Sequence, residues 1–391
     1  MRFNLTPEQR HLELQMKEYL KNHVTDELLD ELLVNRAGGG PNHRKFIRQL
    51  GEDGWLGMGW PGEYGGHDRS AIEQYVVFNM VQGYYGINLP CAALNTIGPT
   101  IMKYCTEEQK KKYLPGIIKG ELEIALGYTE PEAGTDLASL KTRAVSDGDD
   151  YVINGNKIFT SHADFCDYVW LAARTDPQVA KHRGISIFMV PIGTPGITVK
   201  LIPIMGQDMV DSVFYDNVRV PKSCLIGEEN KGWQYMVTQL GLERIMMVPH
   251  GIAERALEDI TQWAGETRFD GAQVIEKPWV RDLLADLWVG TEILKLFNFL
   301  AAWRLTQGLE IQSEAPMIKV FGSEHIRRVH GACLQIMGQY GQLEPGSKWA
   351  PFRGKWECEF VSRPHILFGG GVNDVLRDSL ARTGMGMPKS R

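Results

Sequence analysis

One glutamate in the C-terminal half of the chain has the setting of an acid–base catalyst. Glu243 falls in a helical stretch, and its apolar neighbours there are Leu240, Leu242, Ile245 and Met246. Burial among such residues disfavours the charged carboxylate and raises its pKa toward neutrality, where a general base works best. Most helical glutamates are solvated, so an ordinary surface residue is the competing interpretation.

Sequence motifs of several common enzyme classes are absent. No G-x-G-x-x-G follows a strand and opens a helix, and there is no P-loop, G-x-S-x-G elbow, H-E-x-x-H or Asp-rich calcium loop. The triplet Gly369-Gly370-Gly371 lacks the lysine that a phosphate-binding loop requires. A Rossmann dehydrogenase, an α/β-hydrolase and a metal enzyme are therefore disfavoured.

The composition is that of a globular protein of average polarity. The 391 residues are 43% hydrophobic and 23% charged, and 42 Lys and Arg against 48 Asp and Glu give a net charge of −6. This balance argues against a nucleic-acid binder, and no apolar run is long enough for a membrane span. The start of the chain lacks the apolar segment of a secretory signal, and six dispersed cysteines indicate reduced thiols. We therefore expect a cytoplasmic protein.

The periodicity of the chain changes twice and predicts three parts of an α+β fold. Residues 1–120 have helical patterns that begin at Thr6-Pro7-Glu8-Gln9, residues 121–230 hold short β-rich runs, and residues 231–391 are again helical. The stretch 54–66 is Gly- and Trp-rich, too apolar for a flexible linker, and is expected to be a packed loop.

Individual elements can be predicted within these parts. Asn154-Gly155 indicates a hairpin turn, and seven or so strands at this spacing suggest a small barrel or sandwich. Residues 232–265 read as one long helix and 280–305 as another. Both are apolar on more than one face, which suggests burial in a helical bundle or an oligomer.

The segment Gly127–Asp136, with the sequence G-Y-T-E-P-E-A-G-T-D, resembles the acyl-CoA dehydrogenase family. That family carries a T-E-P-x-A-G-[ST]-D run at this place. Further landmarks agree in order and spacing: Thr106–Lys110 with Tyr113-Leu114-Pro115, Asn154–Lys157, and Gln335–Gly341. The similarity spans nearly the whole chain, and it implies an N-terminal helical domain, a central β domain and a C-terminal helical bundle.

The resemblance implies FAD as cofactor and acyl-CoA as substrate. It assigns FAD binding to Tyr128, Thr129, Thr135, Phe159, Ser161, Arg268, Gln335, Gly338 and Gly341. It assigns the substrate to Thr135, Leu240, Arg244, Gly369 and Gly370. Phe159 stands where the family usually has Trp, so a stacking face is kept and the indole donor is lost. Ordinary strand, turn or core packing is the alternative for each of these residues.

The base of the family is displaced in this chain. Most members carry the catalytic glutamate near the C-terminus in a [YF]-E-G-T run, where this chain has Phe368-Gly369-Gly370-Gly371. A minority, including isovaleryl-CoA dehydrogenase, carries it in an L-E-R context on the first long C-terminal helix, which corresponds to Leu242-Glu243-Arg244. The resemblance therefore implies Glu243 as catalytic base, with Asp374 as a weaker rival.

A second departure concerns the arm that holds the FAD diphosphate. Members usually supply an R-x-x-F-G run from a neighbouring subunit, whereas this chain has Arg268-Phe269-Asp270-Gly271. An aspartate near a diphosphate is repulsive. Both departures fit a branch of the family that forms heterotetramers of two different chains, some of which act on steroid-derived CoA thioesters. Glycine in place of glutamate also removes volume near the acyl pocket, which favours a bulky substrate.

These features together predict an FAD-dependent acyl-CoA dehydrogenase subunit. Glu243 would take the α-proton, FAD N5 the β-hydride, and an electron-transfer flavoprotein the electrons. The assembly would be a homotetramer or an α2β2 heterotetramer. Two alternatives remain: a non-catalytic subunit that completes a partner's FAD site, and an acyl-CoA oxidase of the same fold.

Overall fold

A computed structural model describes residues 4–35, 38–206 and 208–388 of the chain. The side chains of residues 208, 241, 242 and 245 lie outside the described set. The apolar neighbours expected for Glu243 at Leu242 and Ile245 therefore fall outside it as well.

Six α-helices form the N-terminal part of the fold. They are α1 (Pro7–His23), α2 (Asp26–Val34), α3 (Pro41–Glu52), α4 (Ala71–Phe78), α5 (Gly98–Tyr104) and α6 (Glu107–Ile118), with π-helical turns at Asn79–Tyr84 and Ala92–Ile97. The predicted start of α1 is confirmed, because the Thr6 side chain accepts from Gln9 N while the Gln9 side chain accepts from Thr6 N. These reciprocal bonds satisfy N–H groups that a helix start leaves unpaired.

The Gly- and Trp-rich stretch is packed, as predicted. Trp60 is buried, and its indole Nε1 donates to the carbonyl of Leu94 at 3.0 Å. Gly66 approaches the backbone of Trp60 so closely that a Cβ there would lie 2.0 Å from the Trp60 carbonyl oxygen. A glycine is therefore required for the loop to fold back on itself.

The central part is one mixed sheet of eight strands. They are β1 (Ile124–Gly127), β2 (Arg143–Asp147), β3 (Asp150–Ile158), β4 (Tyr168–Arg174), β5 (Ile185–Pro191), β6 (Ile197–Ile204), β7 (Asp208–Pro221) and β8 (Leu225–Ile226). The strand order is β6-β7-β3-β2-β4-β5-β8, and β1 pairs with β4 in parallel. The predicted central β domain is confirmed, and of its two predicted forms, barrel or sandwich, a closed barrel is not formed because the end strands β6 and β8 do not pair with each other.

The predicted hairpin at Asn154-Gly155 is also wrong. Strand β3 runs straight through these residues, and the chain reverses instead between Asp147 and Asp150. Gly155 lies at a register shift against β7, where a Cβ would come within 2.8 Å of Thr142. Glycine is therefore needed here for a bulge and for the close approach of Thr142. The Asn-Gly dipeptide alone does not distinguish this role from a hairpin turn.

Strand β4 joins two hydrophobic cores because its side chains alternate between the faces of the sheet. Trp170 and Ala172 pack into the core shared with the N-terminal helices. Val169, Leu171 and Ala173 pack into the core on the opposite face of the sheet. The sheet and the N-terminal helices consequently share one continuous interior.

The C-terminal part contains six further α-helices. They are α7 (Gly232–Met246), α8 (Gly251–Glu266), α9 (Pro278–Thr306), α10 (Glu314–Met337), α11 (Lys355–Ser362) and α12 (Asn373–Met385), with a small ribbon of β9 (Arg268–Phe269) and β10 (Ala272–Gln273) after α8. The predicted helix over 280–305 is confirmed within α9. Among the described residues, no helix combines the length and apolarity that a bilayer crossing requires.

The predicted single helix over 232–265 is wrong, because it breaks between α7 and α8. Pro249 lies in the break, where it cannot donate a backbone hydrogen bond. Asn298 holds the two ends together: its Oδ1 accepts from His250 N at 3.1 Å, and its Nδ2 donates to Val248 O at 3.4 Å. Burial lowers the pKa of His250 to about 3, so the imidazole is neutral. The break therefore fixes where α7 ends.

A buried ion pair attaches the T-E-P segment to the sheet. Lys157 Nζ donates to Glu130 Oε1 at 2.9 Å and to the carbonyl of Tyr128 at 3.0 Å. Glu130 also accepts from the backbone N–H groups of Lys141 and Thr142 at 2.6 and 2.8 Å. Charged groups buried away from water need hydrogen-bond partners, and both the lysine and the glutamate of this pair have them.

We expect Lys157→Met to lower the free energy of unfolding by about 3–5 kcal/mol, because it leaves Glu130 buried without its cation. Urea unfolding followed by fluorescence measures the loss. The double variant Glu130→Gln/Lys157→Met should recover most of it, since no isolated charge remains. A single variant as stable as the wild type would contradict this view of the pair.

Candidate active site

Glu243 lies near the end of α7 and beside the T-E-P segment. One turn earlier on the same helix, Gln239 accepts a hydrogen bond from the Tyr128 hydroxyl. Trp170 Nε1 donates to that hydroxyl at 3.0 Å. Residues four apart share a helix face, so Gln239 and Glu243 both face the segment that follows β1.

The electrostatics at Glu243 are those of a poised base. Burial raises the pKa of the Glu243 carboxyl, while the nearby cations Arg244 and Lys319 lower it, and the effect of burial is the larger. Burial also raises the pKa of Tyr128, so its phenol stays protonated. A raised pKa makes this carboxylate a stronger base than an ordinary glutamate, and the two cations favour its ionised form.

The glycine turn, residues 367–371, lies against α7 and contains Gly369 and Gly370, which the resemblance assigns to the substrate. Arg244 Nε donates to the carbonyl of Gly370 at 2.9 Å. Gly370 has φ +64° and Gly371 has φ +105°, values that side chains other than glycine rarely adopt. A Cβ on Gly370 would lie 2.6 Å from Met247 Sδ, and one on Gly369 would lie 3.2 Å from Met247 Cε. Met247 therefore fills the space beside the turn.

The structure brings together four of the residues predicted to contact the flavin. The backbone N–H of Ile158 donates to the carbonyl of Thr129 at 2.9 Å, which places Tyr128 and Thr129 beside the end of β3. Phe159 and Ser161 follow directly on that strand and are exposed. Phe159 is 59% exposed and has φ +57°, an unusual conformation for a bulky residue. Strained, exposed aromatic residues of this kind are typical of ligand-binding sites.

The remaining predicted cofactor residues form a second cluster. Arg268 lies on the β9–β10 ribbon, whose Phe269 stacks on Tyr340 at 6.0 Å between ring centroids. Tyr340 belongs to the turn after α10 that contains Gly338 and Gly341, and Gln335 is exposed on the last turn of α10. Among the described residues, no hydrogen bond, ion pair or ring contact joins this cluster to Thr129 or Phe159. The structure therefore places the predicted cofactor residues in two separate groups.

Three other predicted residues are placed with fewer contacts. Thr135 is exposed, next to Gly134, whose surroundings are open. Leu240 is half-buried on α7. The side chain of Asp374, the rival carboxylate, is 92% exposed and lies 3.6 Å from Arg377. A solvated carboxylate gains no basicity from burial, so Asp374 lacks the setting expected of the base.

A cavity of about 290 Å³ lies between the N-terminal helices and α9. Its walls include Trp60, Tyr75, Leu94, Met102, Met246 and Leu305. Met246 follows Glu243 by three residues on α7, so the base and the cavity lie on neighbouring parts of one helix surface. The lining is mostly apolar and suits a hydrocarbon group.

The sequence did not single out two residues of this site. Lys319 is fully buried on α10, and its isolation between Ile318 and Val320 in an apolar helix is a signal that could have identified it. Gln239 is 2% exposed, and among the described residues its Nε2 has no hydrogen-bond partner. Its spacing of one helical turn from Glu243 is the corresponding signal.

Helices, one sheet and helices follow one another along the chain, and Glu243 lies on the first helix after the sheet. Three family models match the chain in this order: the acyl-CoA dehydrogenase N-terminal domain at residues 6–121, middle domain at 125–218 and C-terminal domain at 230–385. The chain therefore belongs to the acyl-CoA dehydrogenase family, whose members are flavoproteins.

Individual relatives are similar over their whole length. Acyl-CoA dehydrogenase FadE29 of Mycobacterium tuberculosis is 39% identical over 100% of this chain and 99% of its own. A solved structure titled "Tcur3481-Tcur3483 steroid ACAD" superposes with a TM-score of 0.93 at 43% identity and covers 100% of both chains. The ChsE4-ChsE5 complex from Mycobacterium tuberculosis gives a TM-score of 0.92 at 38% identity, again with 100% of both chains covered.

Gly369 and Gly370 of the turn should respond differently to alanine. Gly369→Ala needs only a small movement of the Met247 methyl group, whereas Gly370→Ala adds backbone strain of about 1–2 kcal/mol to a closer contact with Met247. We expect urea unfolding to show the larger loss for Gly370→Ala. Adding Met247→Ala should relieve the contact but not the backbone strain. Equal losses for the two alanine variants would contradict this description of the turn.

Proposed function

We propose that this chain catalyses the FAD-dependent α,β-dehydrogenation of an acyl-CoA thioester to the 2,3-enoyl-CoA, with Glu243 as the base. The observation that carries the proposal is the setting of Glu243: a carboxyl with a raised pKa, on the helix that borders both the T-E-P segment and the apolar cavity. The carboxylate of Asp374, the alternative candidate for the base, is solvated.

Glu243 removes the proton from the carbon next to the thioester carbonyl. The C–H bond breaks toward the carboxylate, which ends protonated, and the electron pair remains on the substrate for the new double bond. Burial makes the carboxylate basic enough for this step, and Arg244 with Lys319 keeps a sufficient fraction of it ionised.

The exposed surface at the end of β3 fits the ring of FAD. Phe159 offers an open aromatic face. Thr129 and Ser161 offer hydroxyl groups beside it, because the backbone of Thr129 is bonded to that of Ile158 and Ser161 follows Ile158 by three residues. When bound, FAD supplies the acceptor for the hydride that leaves the β-carbon, and an electron-transfer flavoprotein is the proposed next acceptor.

The acyl group is proposed to be bulky. The cavity of about 290 Å³ is roughly twice the size of an engineered apolar cavity that holds benzene, so a ring system can enter it. A solved relative over the whole chain is described as a steroid ACAD. A CoA thioester with a steroid-derived side chain is therefore the proposed substrate class.

The second cluster supports an assembly with another chain. Arg268 already donates to the carbonyl of Gly271 at 3.0 Å, and Asp270 at the tip of the ribbon adds a negative charge. A diphosphate would be repelled there, so this chain is a poor donor of the family's phosphate arm. A solved relative is described as the ChsE4-ChsE5 complex. We propose an α2β2 heterotetramer whose partner supplies that arm.

Glu243→Gln in the assembled holoenzyme should leave the visible spectrum of bound flavin unchanged and abolish its bleaching by acyl-CoA. The amide keeps the shape of the side chain but cannot accept the proton. In the wild type, the bleaching rate should rise with pH through a pKa above that of ordinary glutamate, because burial raises the pKa of the base. Stopped-flow absorbance measures both.

Asp374→Asn is the matched control, since it makes the same change at the solvated carboxylate. It should bleach at the wild-type rate. Bleaching by Glu243→Gln at the wild-type rate would exclude Glu243 as the base.

The proposed heterotetramer is tested by purifying this chain alone and measuring FAD per chain. We expect substoichiometric and easily lost FAD, because the arm of this chain is repulsive. Asp270→Gly should increase retention by the chain alone. One tightly bound FAD per chain in a stable homotetramer would rule out the requirement for a partner.

A further inference from the structure

We propose that Lys319 is a positioning residue for Glu243: together with Arg244, its ammonium group clamps the glycine turn 367–371 against α7. The inference rests on the proposed function of Glu243 and adds to it a residue outside α7. Lys319 is fully buried on α10, and in this proposal it acts on the reaction through the turn and Glu243, without touching the substrate.

Lys319 satisfies its whole ammonium group on the turn and its continuation. Nζ donates to the carbonyl of Gly371 at 2.7 Å, to that of Leu367 at 3.1 Å and to Oδ1 of Asn373 at 2.7 Å. An ammonium group has three hydrogens, so each one is used. Burial lowers the pKa of Lys319 to about 8, which leaves the group predominantly charged at neutral pH.

Arg244 holds the same turn from the side of α7. Its Nε donates to the carbonyl of Gly370, between the two carbonyls that Lys319 binds. Three glycines in sequence bring no side chain that could pack or hydrogen-bond, and two of them have positive φ. The turn is therefore held by its carbonyl oxygens, and the groups that hold it are the two cations next to Glu243.

A small set of charged groups among the described residues acts on Glu243 and Lys319. Glu243 interacts with Arg244 on its own helix and Lys319 on α10, and its charge is felt by Tyr128 after β1. Lys319 in turn interacts with Arg244, Glu243 and Glu324. Glu324 is paired with Arg377 at 2.6 Å on α12 and accepts from Asn373 Nδ2 at 3.2 Å.

The arrangement links position and charge. If the ammonium is removed, two carbonyls of the turn lose their donor and Arg244 loses the fixed surface that it binds. The carboxylate of Glu243 also loses a cation that favours its ionised form, which is the form that accepts a proton. A neutral residue of equal size could fill the space but could provide neither effect.

Lys319→Met in the holoenzyme tests the proposal, with Lys319→Arg as the charge-keeping variant. Arg328→Met is the control, because it removes an exposed cation of the same helix that pairs with Asp286. The measured quantity is the pH dependence of the rate of flavin bleaching by acyl-CoA. We expect the rising limb of this profile in Lys319→Met to move to higher pH, with a rate loss on the order of tenfold to a hundredfold below neutrality that shrinks in alkaline buffer. Lys319→Arg and Arg328→Met should keep the wild-type limb.

A merely structural lysine would lower the unfolding temperature of Lys319→Met and leave the limb in place, and this result would overturn the proposal. If Lys319→Met does not fold, Asn373→Asp decides, because the added carboxylate offsets the ammonium charge and should move the limb in the same direction. An unmoved limb in Asn373→Asp would then overturn it. If the wild type itself is not bleached by any acyl-CoA, the proposed function fails rather than the role of Lys319.

Discussion

The site depends on one carboxylate whose surroundings disfavour its charge without making it permanently neutral. Glu243 is half-buried, and desolvation raises the pKa of its carboxyl. An isolated carboxyl in an apolar interior would remain protonated and unable to accept a proton. Arg244 and Lys319 oppose that effect from two different helices. Both cations also donate hydrogen bonds to carbonyl oxygens of the glycine turn. The proposed base, the cations and the turn therefore form a single electrostatic unit.

The rest of the fold fixes the helix that carries this unit. At its C-terminal end, α7 stops at a break that Asn298 and His250 hold through backbone hydrogen bonds. On its inner face, Gln239 is bound to Tyr128, which the Glu130–Lys157 pair ties to β3 through its carbonyl. Because the exposed Phe159 directly follows β3, a short series of buried polar contacts joins the surface proposed for the flavin to the helix of the proposed base.

The sequence was informative where a local pattern decides local structure. The capping box at Thr6, the packed Trp60 loop, the helix within α9 and the family itself were all predicted correctly. It failed where residues distant in sequence decide the structure. Gly155 forms a bulge because Thr142 passes beside it, and the chain breaks after α7 where Asn298 binds Val248 and His250. The same limit applies to the site. Glu243 could be identified from its neighbours, but Lys319 lies 76 positions away, and only packing brings it to the turn.

The position of the proposed base on α7 and the glycines of the turn depend on each other. Met247, four residues after Glu243, fills the space into which a side chain at position 370 would have to enter. The family's usual glutamate corresponds to position 369, where a Cβ would lie 3.2 Å from Met247 Cε. It would also put a second carboxylate near Glu243, where like charges disfavour ionisation of both. With glycines, the turn instead offers carbonyl oxygens, which bind Arg244 and Lys319. If Glu243 is the base, as proposed, glycines at the turn therefore avoid a like charge beside it and leave both cations to favour its ionised form.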